Sequence, residues 1–465
     1  MNLVSMSAVT TDLLQRFDVP GPRYTSYPTA DRFVEAFVEE DYVRALEQRR
    51  LGASAGGMPL SLYVHIPFCE SICYYCACNK IITKHHERGS EYLRYLGREI
   101  DLHTARIGVG QVVSQLHLGG GSPTFLSDDE LGDLMRTIRR SFTLAPGGEY
   151  SIEVDPRTVT VQRLKNLAQL GFNRLSFGVQ DFDAAVQKAV HRIQPAQQVF
   201  DLVQAARELG FESINVDLIY GLPRQNPDSF DRTLAQVARL RPDRIALYAY
   251  AHLPQRFKPQ RRIVEVELPG AAAKVAMLQH SLDALMQAGY VYVGMDHFAL
   301  PNDALAVAKR QGRLHRNFQG YSTQPDCDLI ALGVSAIGRI GATYSQNAKT
   351  LEEYCDLLDQ GRLPVVRGLA LSRDDLVRRA VIMALMCQGR VEFESIELAY
   401  LLDFRSYFAQ ELEALQPLQE QSLVLLGAGA LEVTATGWFF VRAVAMVFDR
   451  YLQADRNRAR FSKII

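Results

Sequence analysis

From Ser61 onward the chain alternates short runs rich in β-branched and aromatic residues with longer segments of helical spacing, and no other feature restricts the fold so strongly. The strand candidates are SLYVHIPF, VVSQLHLGGG, EYSIEVDP, RLSFGVQ, SINVDLIYGLP, RIALYAY and YVYVGMDHF, most of them ending in glycine, proline or a polar residue. Helical stretches lie between them. From Asp128 to Phe142, for example, Leu131, Leu134, Met135 and Ile138 recur at three- and four-residue spacing and make one apolar face. Strands separated by helical crossovers run parallel. A barrel and an open doubly wound sheet both satisfy this pattern, but no GxGxxG follows the first strand, where a dinucleotide-binding sheet carries it. The expectation is an α/β, barrel-like fold with its chemistry at the carboxyl ends of the strands.

The flanks differ in texture. Residues 1–55 contain GPRYTSYPTA, whose prolines and small polar residues interrupt a long helix, so an extended N-terminal arm is expected. Residues 56–365 are expected to form the main, barrel-like domain with its extension. Residues 366–465 turn helical, in DDLVRRAVIMALMC and FRSYFAQELEAL, before VLLGAGALEVTATGWFFVRAVAMVF suggests a short hairpin and a final helix. This reads as a small helical or winged-helix domain. The 51 lysines and arginines against 52 acidic residues argue against a dedicated nucleic-acid binder. No run reaches the roughly 18 apolar residues of a membrane helix. The opening MNLVSMSAVTTDLLQRF lacks the basic start and continuous apolar stretch of an export signal, which makes the cytoplasm the expected compartment.

Four of the seven cysteines fall within HIPFCESICYYCACNK, spaced CxxxCxxCxC directly after the first strand candidate. Clustered thiols in a reducing compartment point to metal. Three thiolates can hold three irons of a cubane and leave the fourth iron open to a cofactor. A structural zinc site is the plainer reading, but zinc usually takes two separated pairs and no second CxxC occurs. Cys78 is a fourth candidate ligand whose role the spacing leaves open. In LHLGGGSPTF, Gly119, Gly120 and Gly121 let a ligand lie on bare backbone, although an ordinary strand-to-helix turn has the same composition. Glu153, Asp155, Gln180, Asp181 and Asp217 sit at the ends of apolar strand candidates, where a buried polar group needs a partner, either a ligand's ribose or adenine or a helix cap.

RYTSYPT, HIPFCESICYYCACNK, GGGSPT, SIEVDPR, FGVQDF, NVDLIYGLP, YAHLP, GMDHFA and HRNFQGYST occur in the order found in the radical S-adenosylmethionine enzymes. Over nearly its whole length the chain resembles one family among them, the oxygen-independent coproporphyrinogen III oxidases. The resemblance implies a partial (β/α)6 barrel extended by further strands, with an N-terminal arm and a helical C-terminal domain. It implies a 4Fe-4S cluster on Cys69, Cys73 and Cys76, with Cys78 beside it, and S-adenosylmethionine chelating the open iron through its methionine moiety. Family positions for S-adenosylmethionine fall on Tyr63, Tyr75, Gly120, Gly121, Ser122, Glu153, Gln180, Arg192, Asp217, Ala251 and Ile337, some of them serving a second molecule.

The reaction so implied is a haem-biosynthetic step from coproporphyrinogen III to protoporphyrinogen IX. A 5'-deoxyadenosyl radical takes hydrogen from a propionate, which loses carbon dioxide and an electron to become a vinyl group, twice per substrate. Arg23 in the arm is the candidate for a substrate carboxylate, with Tyr24 and Tyr27 closing over the ring system. A monomer served by an electron donor and an acceptor completes the expectation. The competing readings are a haem chaperone of the same superfamily and a radical S-adenosylmethionine methyltransferase. The chaperone branch typically lacks both RYTSYPT and the fourth cysteine, and GMDHFA with HRNFQGYST favours the oxidase over the methyltransferase.

Overall fold

The computed structural model describes residues 11–17, 19–53 and 57–454. Residues 1–10 of the expected arm and 455–465 of the expected C-terminal domain lie outside the described residues. Leu60–Ile66 (β1) is buried at six of its seven positions, as a central parallel strand covered on both faces must be. It is followed in the sheet by Gln111–Gly120 (β2), Phe142–Val154 (β3), Arg174–Gln180 (β4), Ser213–Tyr220 (β5) and Arg244–Ala249 (β6), each parallel to the last. This strictly sequential order settles the choice left open by the alternation. A doubly wound sheet reverses its strand order at a switch point, and here no reversal occurs, so the parallel strands form the partial barrel.

The sheet continues beyond both ends of the parallel run. On one side Val291–Gly294 (β7) and His297–Ala299 (β8) form a hairpin, with β8 antiparallel to β6. Its turn residues Met295 and Asp296 both have positive φ, 42° and 70°. On the other side Asp328–Leu332 (β9) lies parallel to β1, and Ile337–Ile340 (β10), Thr343–Asn347 (β11) and Val365–Ala370 (β12) follow as antiparallel neighbours. The result is one twelve-stranded open sheet in the order β12-β11-β10-β9-β1-β2-β3-β4-β5-β6-β8-β7.

The crossover helices obey the local signals. The first, Glu87–Ile107 (α1), joins β1 to β2, and Asp128–Ser141 (α2) joins β2 to β3. Ser127 caps α2 in a reciprocal box with Glu130, and Leu131, Leu134, Met135 and Ile138 are all buried on the side that faces the sheet core. Asn226 and Ser229 close the same kind of box at Pro227–Leu240 (α3), which joins β5 to β6.

A second hydrophobic core joins the two flanks. Leu14, Tyr24 and Tyr27 from the N-terminal segment pack with Val293 and Met295 of the β7 hairpin and with Arg373–Gln388 (α4), Trp438 and Phe440 near the carboxyl end. The hairpin seen in the sequence is Val424–Leu426 (β14) against Ala430–Val433 (β15), and Arg390–Glu392 (β13) adds a third strand to it. Polar bonds fix the arm to this region. The Tyr24 hydroxyl donates to Asp449 at 2.9 Å, and the buried Arg442 donates to the carbonyls of Gly21 and Pro22. Tyr24→Phe removes the donor to a buried carboxylate, so the urea midpoint is expected to fall by the equivalent of about 1.5–3 kcal/mol. An unchanged midpoint contradicts this account of the arm.

Candidate active site

At the carboxyl ends of the parallel strands lies a cavity of about 440 Å³, lined by Cys69, Cys73, Cys76 and Cys78 together with side chains from successive strands. The cysteine loop is built by backbone bonds. Phe68–Cys69 pairs in parallel with Ile81–Ile82, the Thr83 amide donates to the Cys69 carbonyl at 3.0 Å, and the Tyr74 amide donates to the Val190 carbonyl at 3.0 Å. Tyr74 also stacks on His191, with ring centroids 5.1 Å apart and planes 9° apart. The Gln260 amide nitrogen reaches both the Tyr75 carbonyl, at 3.0 Å, and the Ala251 carbonyl, at 3.2 Å.

The glycines are required by this loop. The Gly121 amide donates to the Ile66 carbonyl and the Ser122 amide to the Phe68 carbonyl, both at 2.8 Å. A Cβ on Gly121 would stand 2.7 Å from the Pro67 oxygen and 2.8 Å from the Phe68 oxygen, backbone atoms that cannot give way. Gly120 has φ +116°, and a Cβ there would meet the His65 ring at 2.7 Å. The end of β2 is therefore pressed against the end of β1, and the turn is more than a generic strand-to-helix connection. Gly121→Ala is expected to abolish retention of iron after reconstitution, measured as iron per chain and visible absorbance, without unfolding the barrel. Wild-type iron content in that variant contradicts the close packing.

Charge at the thiols is organised by Asp155, Arg157 and Arg192. Burial alone would push the Asp155 carboxyl up, but Arg192 and Arg157 outweigh it and hold the group below its usual range. Arg157 bonds Asp155 at 2.7 Å and Arg192 bonds it at 3.3 Å, and Arg192 also donates to the Gly178 carbonyl at 2.7 Å. Both guanidiniums approach the Cys73 sulfur, at 3.6 and 3.5 Å. Burial, with Cys76 and Cys73 adding, pushes the Cys69 thiol up to about 12, whereas a hydrogen bond from Cys78 brings Cys76 down to about 6. Lys80 donates to the carbonyls of Cys76 and Cys78 at 3.2 and 3.3 Å. Thiols that repel one another as thiolates, with cations grouped around them, are suited to a bound polynuclear cation. Among the described residues no three His, Cys, Asp or Glu side chains converge on a position for a single metal ion.

Of the other sequence candidates, Tyr75, Gly120, Gly121, Ser122, Glu153, Gln180, Arg192 and Asp217 all line the cavity. Glu153 accepts the Gly120 amide at 3.2 Å and lies 3.5 Å from His117. Gln180 holds φ +68°, a conformation uncommon outside glycine, where β4 ends. Asp217 accepts from Ser176 at 3.0 Å and Asn215 at 2.9 Å, and burial, with Glu153 adding, pushes its carboxyl up to about 6. Tyr63, Ala251 and Ile337 stand outside the cavity wall. Tyr63 stacks on His117 at 5.9 Å and bonds His65 at 3.1 Å, and Ile337 opens β10.

Arg23 pairs with Asp296 and lies 5.1 Å above the Tyr248 ring, and Tyr248 lines the cavity. Tyr24 and Tyr27 are fully buried against the C-terminal segment, so neither has a face to offer a substrate, contrary to the expectation that they close over it. Sequence reasoning missed Arg157, Lys80 and His65. The arginine two residues after Asp155 in SIEVDPR was the available signal for the first.

A sequential parallel sheet whose first strand runs into a three-thiol loop, braced by a glycine turn on the second, defines a radical S-adenosylmethionine enzyme, and a model of the Radical SAM superfamily matches residues 63–237. The HemN C-terminal domain matches residues 371–440. The chain is 51% identical, over 98% of both chains, to an oxygen-independent coproporphyrinogen III oxidase of Pseudomonas aeruginosa. It is 47% identical to the protein of that name from Escherichia coli, over 97% of this chain and 98% of the relative. A solved structure of coproporphyrinogen III oxidase (HemN) from Escherichia coli, described as a radical SAM enzyme, superposes with a TM-score of 0.88 at 46% identity, covering 93% of this chain and all of that one. The chain belongs to the oxygen-independent coproporphyrinogen III oxidase family, and with the radical SAM fold go a 4Fe-4S cluster and S-adenosylmethionine. No helix among the described residues is long and apolar enough to cross a membrane.

Proposed function

We propose that this protein carries out the oxygen-independent oxidative decarboxylation of coproporphyrinogen III to protoporphyrinogen IX, converting two propionates to vinyl groups in haem biosynthesis. It does so in the cytoplasm as a monomer, with two S-adenosylmethionine molecules, an electron donor and an acceptor. The observation that carries this reading is the meeting, around one cavity, of the three-thiol loop, the glycine turn and Tyr248, over which Arg23 of the arm is seated. The bound cluster and S-adenosylmethionine supply the one-electron cleavage that yields a carbon-centred radical.

The protein's own part is holding, positioning and drying. Cys69, Cys73 and Cys76 give one thiolate each to the cluster, while Cys78 donates its hydrogen bond to Cys76 and does not ligate. Gly120, Gly121 and Ser122 present bare backbone to the cofactor's amino-acid head, and Glu153 beside them accepts its ammonium. Asp217, already held by two donors, accepts from ribose hydroxyls. Tyr75, Gln180, Arg192, Ala251, Ile337 and Tyr63 complete the surround for the two molecules. Arg23 takes a substrate carboxylate, and Tyr24 serves it indirectly by pinning the arm to Asp449. Cofactor and substrate that fill the cavity exclude the water and solutes that would quench a radical.

The direct test incubates the reconstituted protein anaerobically with coproporphyrinogen III, S-adenosylmethionine and a strong reductant. Vinyl product and 5'-deoxyadenosine are expected together, and nucleoside without vinyl product, or neither, contradicts the assignment. Cys69→Ala is expected to lose both. Because Asp217 is raised to about 6, its carboxylate protonates as pH falls through that value and accepts hydroxyl hydrogens less strongly. The KM for S-adenosylmethionine is therefore expected to rise roughly tenfold on the acid side of this pKa in the wild type. In Asp217→Asn it is expected to be high and flat, and parallel profiles in the two proteins contradict the role.

A further inference from the structure

Among the described residues the arginines that line the cavity, and Arg23 beside it, have carboxylate partners, whereas Arg316, behind the Tyr321 ring, has none. Arg174 pairs with Glu149 at 3.2 Å, Arg244 with Asp303 at 2.9 Å, Arg192 with Asp155 and Arg23 with Asp296. Arg316, in the short strand His315–Asn317, is 5% exposed, and its Nε and Nη1 are buried without a hydrogen-bond partner. Its guanidinium lies 4.7 Å over the Tyr321 ring. Tyr321 packs edge-on against His297 at 5.6 Å, and His297 packs edge-on against Tyr248 at 6.1 Å. All three rings line the cavity.

Two further guanidiniums act on the same place. Arg23 sits over the opposite side of this ring cluster, on Tyr248, and keeps 31% of its side-chain surface accessible. Burial, with Arg23 and then Arg316 adding, pushes Arg442 down to about 10, opposed by Asp296. Burial, with Arg316 adding, likewise pushes His297 down to about 4, so the ring is neutral, and its Nδ1–H donates to the Met295 carbonyl at 2.6 Å. Asp296 acts on both Arg23 and Arg442, and among the described residues no carboxylate pairs with Arg316. An uncompensated buried charge costs several kcal/mol unless a ligand supplies its counterion.

We infer that Arg316, with Arg23 across the Tyr248–His297–Tyr321 wall, forms a subsite for a carboxylate of the substrate, one of the propionates that the reaction leaves intact. The inference rests on the proposed substrate and adds the group that orients it. S-adenosylmethionine also carries a carboxylate, but its amino-acid head is assigned to the glycine turn and Glu153 at the ends of β2 and β3, whereas this nest is built from the arm, β6, β8 and the 315–322 hairpin. Holding an unreacting propionate fixes which of the others is presented to the radical.

The test compares the reconstituted wild type with Arg316→Gln and Arg316→Lys under anaerobic turnover. In Arg316→Gln the KM for coproporphyrinogen III is expected to rise roughly 10- to 100-fold. Cluster absorbance, substrate-free cleavage of S-adenosylmethionine and the KM for S-adenosylmethionine should stay at wild-type values. Arg316→Lys should recover part of the loss. Removing an unpaired buried charge should leave the melting temperature of the ligand-free protein unchanged or higher. A lowered melting temperature with an unchanged KM makes Arg316 a structural cation and overturns the inference. A shift confined to the KM for S-adenosylmethionine assigns the nest to that carboxylate and overturns it equally. If the wild type itself neither binds nor converts coproporphyrinogen III, the proposed function falls and this inference with it, whereas wild-type turnover with an indifferent Arg316→Gln refutes the subsite alone.

Discussion

The buried ion group of Arg192, Asp155 and Arg157 holds the active end of the barrel together. Arg192 reaches from the loop after β4 to the Gly178 carbonyl, to Asp155 at the end of β3 and to the Cys73 sulfur. Three separate pieces of chain are tied by one side chain that is almost wholly out of water. Such a group adds little net stability, because the desolvation of its charges offsets most of their attraction. Its value is positional. It fixes where the cysteine loop lies relative to the strand ends, and it places two guanidiniums against the Cys73 sulfur.

The rest of the site is arranged around that fixed loop. The glycine turn can press against Pro67 and Phe68 because it carries no Cβ, and this contact brings Glu153 and Asp217 onto the same wall as the thiols. On the far side the wall is made by Tyr248, His297 and Tyr321, backed by the arm. The arm can do this because it shares a core with the C-terminal segment: Tyr24 on Asp449 and Arg442 on the Gly21 and Pro22 carbonyls anchor it at its base. Arg23, next in sequence to Tyr24, is thereby carried to the cavity.

Local pattern in the sequence was enough for the parallel strands, since each is a short buried run bounded by glycine or polar residues. It also sufficed for the helix face of Leu131, Leu134, Met135 and Ile138. The cysteine spacing and the triple glycine pointed to the site directly. The antiparallel extension β10 to β12 was not legible, because its short strands, such as IGRI and TYSQN, mix polar and apolar residues and acquire meaning only from partners elsewhere in the sheet. Tyr24 was misread for a related reason. An aromatic in a loop motif looks available to a substrate, and only the fold reveals the second core that buries it. The unpaired state of Arg316 is likewise invisible in sequence, because it depends on carboxylates from distant segments being committed to other arginines.

The central claim is that three thiolates hold the cluster and leave one iron for S-adenosylmethionine. Electron paramagnetic resonance of the reduced, reconstituted protein tests it most directly, recorded with and without S-adenosylmethionine and repeated on Cys78→Ala. The account predicts a 4Fe-4S signal whose g-values shift when the cofactor is added, in the wild type and in Cys78→Ala alike. A signal indifferent to the cofactor, or a cluster lost with Cys78, would mean that the fourth iron is closed by the protein, and the account would be wrong.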